Sequence, residues 1–240
     1  AAAVAFPMTA RFFRNASVTG VPVRQAIFEI GRKPLGELPQ LLVTAGSQGA
    51  KIFNEIMPAI AGRLLEVVPG LRIMHQSGPR QYEETLAGYK AGGAEAHRWT
   101  VKPFLEDMPA QYAAADLVLA RAGSTVAELA AAGRPSVLVP LPQAADDHQR
   151  KNAEVLAEAG AALMLLQADL TAETLLDELT SLLRNGSRLQ EMGNHARSLA
   201  KPGAVEKIAK MIIGLAAGGS DPSDSAIHNR GHTNASSELR

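Results

Sequence analysis

Residues 116–152 read DLVLARAGSTVAELAAAGRPSVLVPLPQAADDHQRKN, and this stretch decides the fold class. The apolar run Asp116–Ala120 predicts a strand that ends in a small-residue turn at Arg121-Ala122-Gly123. A helix is expected over 125–132, opening on Ser124 and Thr125 and carrying a lone acid, Glu128. A second apolar strand, Ser136–Pro140, then runs into a Pro-rich loop that holds Asp146, Asp147, His148 and Gln149. Small residues at a helix start let backbone amides approach an anion. Glu128 lies about one turn past Ser124, where a carboxylate can meet vicinal hydroxyls on the same ligand. The stretch therefore reads as a site for something phosphorylated and rich in hydroxyls. The plain alternative is structural, with Ser124 as an N-cap and Glu128 as a capping-box or dipole partner.

The same alternation extends outward from there. Further strands are expected at Gln40–Thr44, Leu71–His75, Ala94–Val101 and Ala161–Leu166. Periodic Ala/Leu/Glu-rich segments near 50–66, 79–90, 107–114 and 146–159 predict the helices between them, and three more follow near 171–184, 187–200 and 203–217. Strands and helices alternating at this spacing predict an α/β fold, a Rossmann-like parallel sheet with helices on both faces. Residues 1–20 are read as the last strand of a preceding domain and 21–39 as a linker, punctuated by Gly31, Pro34, Gly36 and Pro39. The folded domain is expected over 40–217, and the polar, Gly/Ser-rich tail 218–240 is expected to be disordered.

Composition narrows the function classes. The chain has 240 residues, 46% of them apolar, which is enough for a packed core. Its formal charge of +0 gives no general electrostatic case for nucleic acid. Zero Cys removes disulfides, thiolate nucleophiles and Cys-based metal sites. No apolar run approaches the roughly 18–20 residues that span a bilayer. The opening AAAVAFPMTARFFRN has neither an initiator Met nor a signal-peptide pattern, so the chain is expected to begin part-way through a longer protein.

Other motifs sit at predicted strand ends. LLVTAGSQGAKIFN, residues 41–54, runs from a strand through Gly46-Ser47-Gln48-Gly49 into a helix, a second place for an anion. Its bland reading is a turn whose glycines serve tightness alone. His75 in MHQSG is more simply a satisfied structural histidine. Phe104-Leu105-Glu106-Asp107-Met108 offers an apolar pair that could close over a flat ring, or ordinary packing. In PLPQAADDHQRKN, residues 140–152, Asp146 or Asp147 is expected to cap a helix; a shared metal is disfavoured because adjacent helical positions splay apart.

Taken in order, Val-Pro-Val-Arg24, GSQGA, HQSG, FLEDM, ADLVLARAG-STVAE, AAGRPSVLVPLP and DDHQRKNA resemble the MurG family of bacterial peptidoglycan glycosyltransferases, glycosyltransferase family 28. The match covers about residues 1–215 and falls on the family's C-terminal, donor-binding half. The resemblance implies the C-terminal domain of a GT-B glycosyltransferase, with residues 1–20 a remnant of the N-terminal acceptor domain. It implies inverting, metal-independent transfer of GlcNAc from UDP-GlcNAc to a lipid-linked muramoyl-pentapeptide, at the cytoplasmic side of the bacterial inner membrane, with no cofactor. The acceptor would be held through the N-terminal domain, and the catalytic base is expected there too. Two alternatives are a stand-alone nucleotide-sugar-binding subunit that needs a partner chain and a UDP-sugar epimerase of the same fold.

Residue by residue, the resemblance puts Arg24 and Ser47 near the donor pyrophosphate and Leu105 at the uracil, read largely through main-chain groups. Gly123, Ser124 and Thr125 would present amides and hydroxyls to phosphate. Glu128 would accept from the ribose hydroxyls, and His148 with Gln149 would address the GlcNAc hydroxyls. This chain departs from the family pattern in three places: Ala45 replaces a glycine, Gly123-Ser124-Thr125 is one residue shorter than usual, and His148 stands where some members have Gln.

Overall fold

The computed structural model describes residues 1–33, 38–144 and 147–216. The expected tail 218–240, Pro34 and Gly36 of the expected linker, and Asp146 lie outside the described residues. The chain divides into two units, one of Gly20–Pro202 and one of Ala1–Thr19 with the chain from Gly203 onward.

In the smaller unit, strand β1 (Ala2–Val4), helix α1 (Pro7–Ala10) and strand β2 (Ala16–Val18) follow one another, and a final helix spans Ala204–Ala216. β1 and β2 pair in parallel, Ala2 opposite Ala16 and Val4 opposite Val18. A single strand was expected here and two are found. Each is three residues long, too short for an alternating pattern to show.

The larger unit begins with one helical turn, α2 (Gln25–Phe28), inside the stretch read as linker; its Ile27 is fully buried. There follow β3 (Gln40–Thr44), α3 (Lys51–Val67), β4 (Arg72–Gln76), α4 (Tyr82–Ala91), β5 (Trp99–Lys102), α5 (Met108–Ala114), β6 (Leu117–Ala120) and α6 (Thr125–Ala132). Then come β7 (Ser136–Leu138), α7 (His148–Glu158), β8 (Ala162–Met164), α8 (Ala172–Leu183) and α9 (Gly186–Ser198). β5 starts five residues later than expected, because Arg98 turns its amide back to Glu95 and Trp99 donates its indole N–H to Ala94.

The six strands form one wholly parallel sheet in the order β5-β4-β3-β6-β7-β8. Every residue of β6 and β7 is buried, as continuous apolar strands covered on both faces must be. On α3, Phe53, Met57, Ile60, Ala61 and Leu64 recur at helical spacing and are buried in the main core. Each large side chain of that stripe contributes about 1.5–3 kcal/mol by leaving water. α3 packs with α4 and α8, while α6 packs with α2, α5 and α9.

Strand order fixes where a ligand can enter. β3 and β6 are neighbours, yet the chain leaves β3 toward β4 and β5 and leaves β6 toward β7 and β8. The crossovers therefore diverge between these two strands, and a crevice opens at their C-terminal ends. The turns that follow β3 and β6 are the two that the sequence marked for phosphate.

Candidate functional site

The turn after β3 is shaped by contact with the turn after β4. Gly46 and Gly49 have φ of 73° and 70°, and the Gly49 amide closes the turn on the Gly46 carbonyl at 3.1 Å. A Cβ on Gly49 would lie 1.9 Å from the Ser77 carbonyl oxygen, and one on Gly78 would lie 2.0 Å from that of Gln48. Backbone meets backbone here, so tightness does account for glycine at 49. Ala45 has no positive φ, so its methyl is accommodated. Ser47 is exposed at the tip of the turn.

The turn after β6 is built differently. Gly123 has no positive φ, and a Cβ there would meet nothing within 4 Å. At this small-residue turn neither the backbone nor the packing of Gly123 calls for glycine. Ser124 occupies the N-cap position of α6 but is already helical, φ −60° and ψ −21°, and its side chain makes no cap hydrogen bond. An N-cap side chain reaches the first-turn amides from extended backbone, so the capping reading of Ser124 fails on geometry. Val126 and Ala127 turn their amides back on the carbonyls of Gly123 and Ser124. Those of Ser124 and Thr125 precede the helical ladder and have no acceptor within it.

A hollow of about 700 Å³ between these turns is lined by Gly46, Gly49, Gly123, Ser124, Thr125 and Gln149. It thus collects four expected site residues: Gly123, Ser124, Thr125 and Gln149. Ser47 stands between two lining residues, whereas Arg24, Leu105, Glu128 and His148 lie outside its wall. His148 is exposed at the first position of α7. Before it Asp147 takes the left-handed conformation, φ 55°, and makes no side-chain cap bond, while Asp146, the other expected cap, lies outside the described residues. Gln149 accepts the Leu141 amide on Oε1 at 3.1 Å, and Asn152 donates to the Ala122 carbonyl at 2.9 Å. These two bonds tie α7 to the Pro-rich loop and to the β6 turn.

Glu128 takes no part in capping. Its Oε2 accepts from the phenol of Tyr112 on α5 at 2.9 Å. Tyr112 is fully buried, and burial, helped by the Glu128 carboxylate, pushes its hydroxyl well above the ordinary phenol range. Arg24, exposed at the start of α2, acts on the same phenol with its positive charge. Leu105 is buried, and its amide donates to Gln76 Oε1 at 3.0 Å. That N–H is spent inside the chain, so the expected main-chain reading at Leu105 falls to its other backbone group.

Three polar residues of this rim escaped sequence reading. Gln76 bridges two loops, donating through Nε2 to Gly46 at 2.6 Å while accepting from Leu105. Tyr112 holds Glu128. Arg121, a lining residue, donates to the carbonyls of Val139 and Pro140 and to Gln167 Oε1, and lies over the Phe53 ring at 5.3 Å. Partial burial lowers its affinity for the proton, so it is a cation held in a poorly solvated wall. Gln76 at the end of β4 and Arg121 at the end of β6 were visible as polar residues closing apolar strands. His75 is buried against Tyr89, Nδ1 to Oη 3.1 Å, and burial lowers its pKa to about 3. The structural reading of His75 is the one observed.

Residues 40–210 match the glycosyltransferase family 28 C-terminal domain. The chain belongs to this family. It is 42% identical over 214 residues to the Solibacter usitatus UDP-N-acetylglucosamine--N-acetylmuramyl-(pentapeptide) pyrophosphoryl-undecaprenol N-acetylglucosamine transferase, covering 88% of this chain and 58% of that protein. The protein of the same name from Ectopseudomonas mendocina is 46% identical over 208 residues, covering 85% of this chain and 57% of the relative. The crystal structure of Acinetobacter baumannii MurG superposes with a TM-score of 0.67 at 39% identity, over 78% of this chain and 54% of that one. The chain thus spans little more than half the length of these relatives. Its Rossmann-like sheet with helices on both faces is the C-terminal domain of a GT-B glycosyltransferase, as expected. Among the described residues no helix is long and apolar enough to cross a membrane.

Proposed function

We propose that this chain is the donor-binding half of a glycosyltransferase that transfers GlcNAc from UDP-GlcNAc to a lipid-linked muramoyl-pentapeptide, with inversion at the sugar. The observation that carries it is the β6–α6 turn. A glycine that the fold does not require, a serine hydroxyl spent on no cap and the first amides of a helix all border one hollow at the point where the crossovers diverge. Such a cradle suits a pyrophosphate. As the sugar–oxygen bond breaks, negative charge grows on the departing UDP; fixed amides and the nearby Arg121 are poised to stabilise it. Arg24 and Ser47 belong to the same pyrophosphate, Leu105 to the uracil, Glu128 to the ribose, and His148 with Gln149 to the sugar. Residues 1–20 belong to the acceptor-side domain and 21–39 to the linker. The names of the curated relatives support the donor and the acceptor. A lipid acceptor fits a peripheral place at the membrane for the whole enzyme, which we assign to its cytoplasmic face.

An epimerase would need an acid and a base flanking the sugar. Among the described residues the carboxylate in the lining is Glu55, which is exposed and paired with Lys51 at 3.5 Å. The transferase reading therefore stands ahead. Calorimetry with UDP-GlcNAc tests it: the chain is expected to bind donor without turning it over, and Glu128→Ala to weaken binding by about 1.5–3 kcal/mol. No binding by the wild-type chain sinks the donor assignment.

A further inference from the structure

We propose that Tyr112 is a positioning residue for Glu128, and that the pair makes the site select a ribose over a 2′-deoxyribose. The inference rests on the reading that Glu128 accepts from the nucleotide's ribose hydroxyls.

A glutamate on a helix surface has three side-chain torsions, and ordering them on binding costs conformational entropy. In this chain the cost is met before any ligand arrives. The phenol of Tyr112 donates to Oε2 at 2.9 Å and comes from a side chain with no solvent exposure. Oε1 is not engaged by that bond. Because burial raises the phenol's affinity for its proton, Tyr112 remains a donor throughout the working pH range and never presents a second negative charge to the carboxylate.

The backbone beneath Tyr112 is fixed as well. Arg134, itself buried, donates Nε to the Tyr112 carbonyl at 2.5 Å. Its Nη2 reaches the carbonyls of Ala113 and Gly31, each at 3.1 Å. One guanidinium, two residues past α6, thus joins the end of α5 to the segment that follows α2. These three helices, in mutual contact, carry Arg24, Tyr112 and Glu128 respectively.

A buried phenol needs only some acceptor, and a backbone carbonyl would satisfy it without placing a hydroxyl beside an ionised group. The choice of a half-buried acid one turn into the helix that opens the phosphate cradle is explained when the acid itself must be held still.

Calorimetry of the intact chain with UDP and with 2′-deoxy-UDP tests this. The wild-type chain is expected to prefer UDP by about tenfold or more, the worth of one charge-assisted hydrogen bond. In Tyr112→Phe, which keeps the ring and its packing, the preference should shrink to about twofold while binding of the deoxy compound hardly changes. An undiminished preference overturns the proposal, and so does an equal loss for both nucleotides, which marks a merely structural tyrosine. If the wild-type chain binds no UDP, the donor reading itself fails and takes the proposal with it. A second measurement needs no variant: the hydrogen-bonded phenol proton gives its own NMR signal, expected to shift more with UDP than with 2′-deoxy-UDP. Equal shifts overturn the proposal too.

Discussion

The two rims of the six-stranded sheet treat their polar groups in opposite ways. At the rim where strands begin, a cavity of about 250 Å³ is lined by Arg32, Lys33, Arg134 and Arg197 with Asp116. Positive charge in a hollow invites an anion, yet three of these four cations are already engaged. Lys33 is hydrogen-bonded to Asp116. Arg134 donates to three carbonyls, and Arg197 to those of Phe28, Ile30 and Ala132. These carbonyls lie at or just beyond the ends of α2, α5 and α6, where the helical ladder runs out of its own donors. At the rim where strands end, the reverse holds. The Ser124 hydroxyl caps nothing, and Gly123 answers no demand of φ or packing. A binding site is marked by groups whose identity the fold leaves unexplained, more than by cavity or charge.

That contrast can be broken most sharply at Arg134. Arg134→Met should cost about 2–4 kcal/mol in denaturant unfolding, because one buried and two part-buried hydrogen bonds to carbonyls are lost. A stability within about 0.5 kcal/mol of wild type would show that the starting rim is no staple.

His75 sharpens it from another side, since it closes a strand at the ligand rim but is spent inward on Tyr89. Its folded pKa of about 3 lies below its ordinary 6.5, so between those values the unfolded chain binds the extra proton. Stability should therefore fall as the pH drops through that window, by about 1.4 kcal/mol per unit from this group alone. His75→Gln should flatten the slope measured between about pH 6 and 4. An unchanged slope would mean that His75 is accessible to the proton while folded.

The smallest expected effect is the most telling. Ser124→Ala removes a residue from an N-cap position, which ordinarily costs about 1 kcal/mol. Here, with no cap bond to lose, stability should stay within about 0.5 kcal/mol while donor binding weakens. A full capping loss in thermal unfolding would return Ser124 to the helix.

Periodicity and composition carried much of this into the sequence. The limits of β3 and of α3 through α9 lie within a residue or two of where apolar spacing put them, apart from α4, whose start came later. β1, β2, α1 and α2, of three or four residues each, lie outside the alternation of apolar runs and periodic segments that marked the equally short β5 to β8. The phosphate turn and its acid were legible because they are local. What escaped was set across distance: Tyr112 meets Glu128 from 16 residues away, Gln76 meets Leu105 from 29, and Arg121 meets Gln167 from 46. Such pairs depend on strand order and helix packing, which no local pattern encodes. The same holds for Ser124, whose residue type fits a cap and whose backbone does not.

The contact between Gly49 and Gly78 has an evolutionary consequence. Each would-be methyl meets the other turn's main chain, so no change of a neighbouring side chain can make room for it. No sequence of single replacements leads out of the pair without passing through a damaged intermediate. Both glycines should persist in descendants of this chain whatever nucleotide they come to hold. Their constancy would record the mutual fit of two backbones, and the freedom or fixity of position 123 would be the better witness to the ligand.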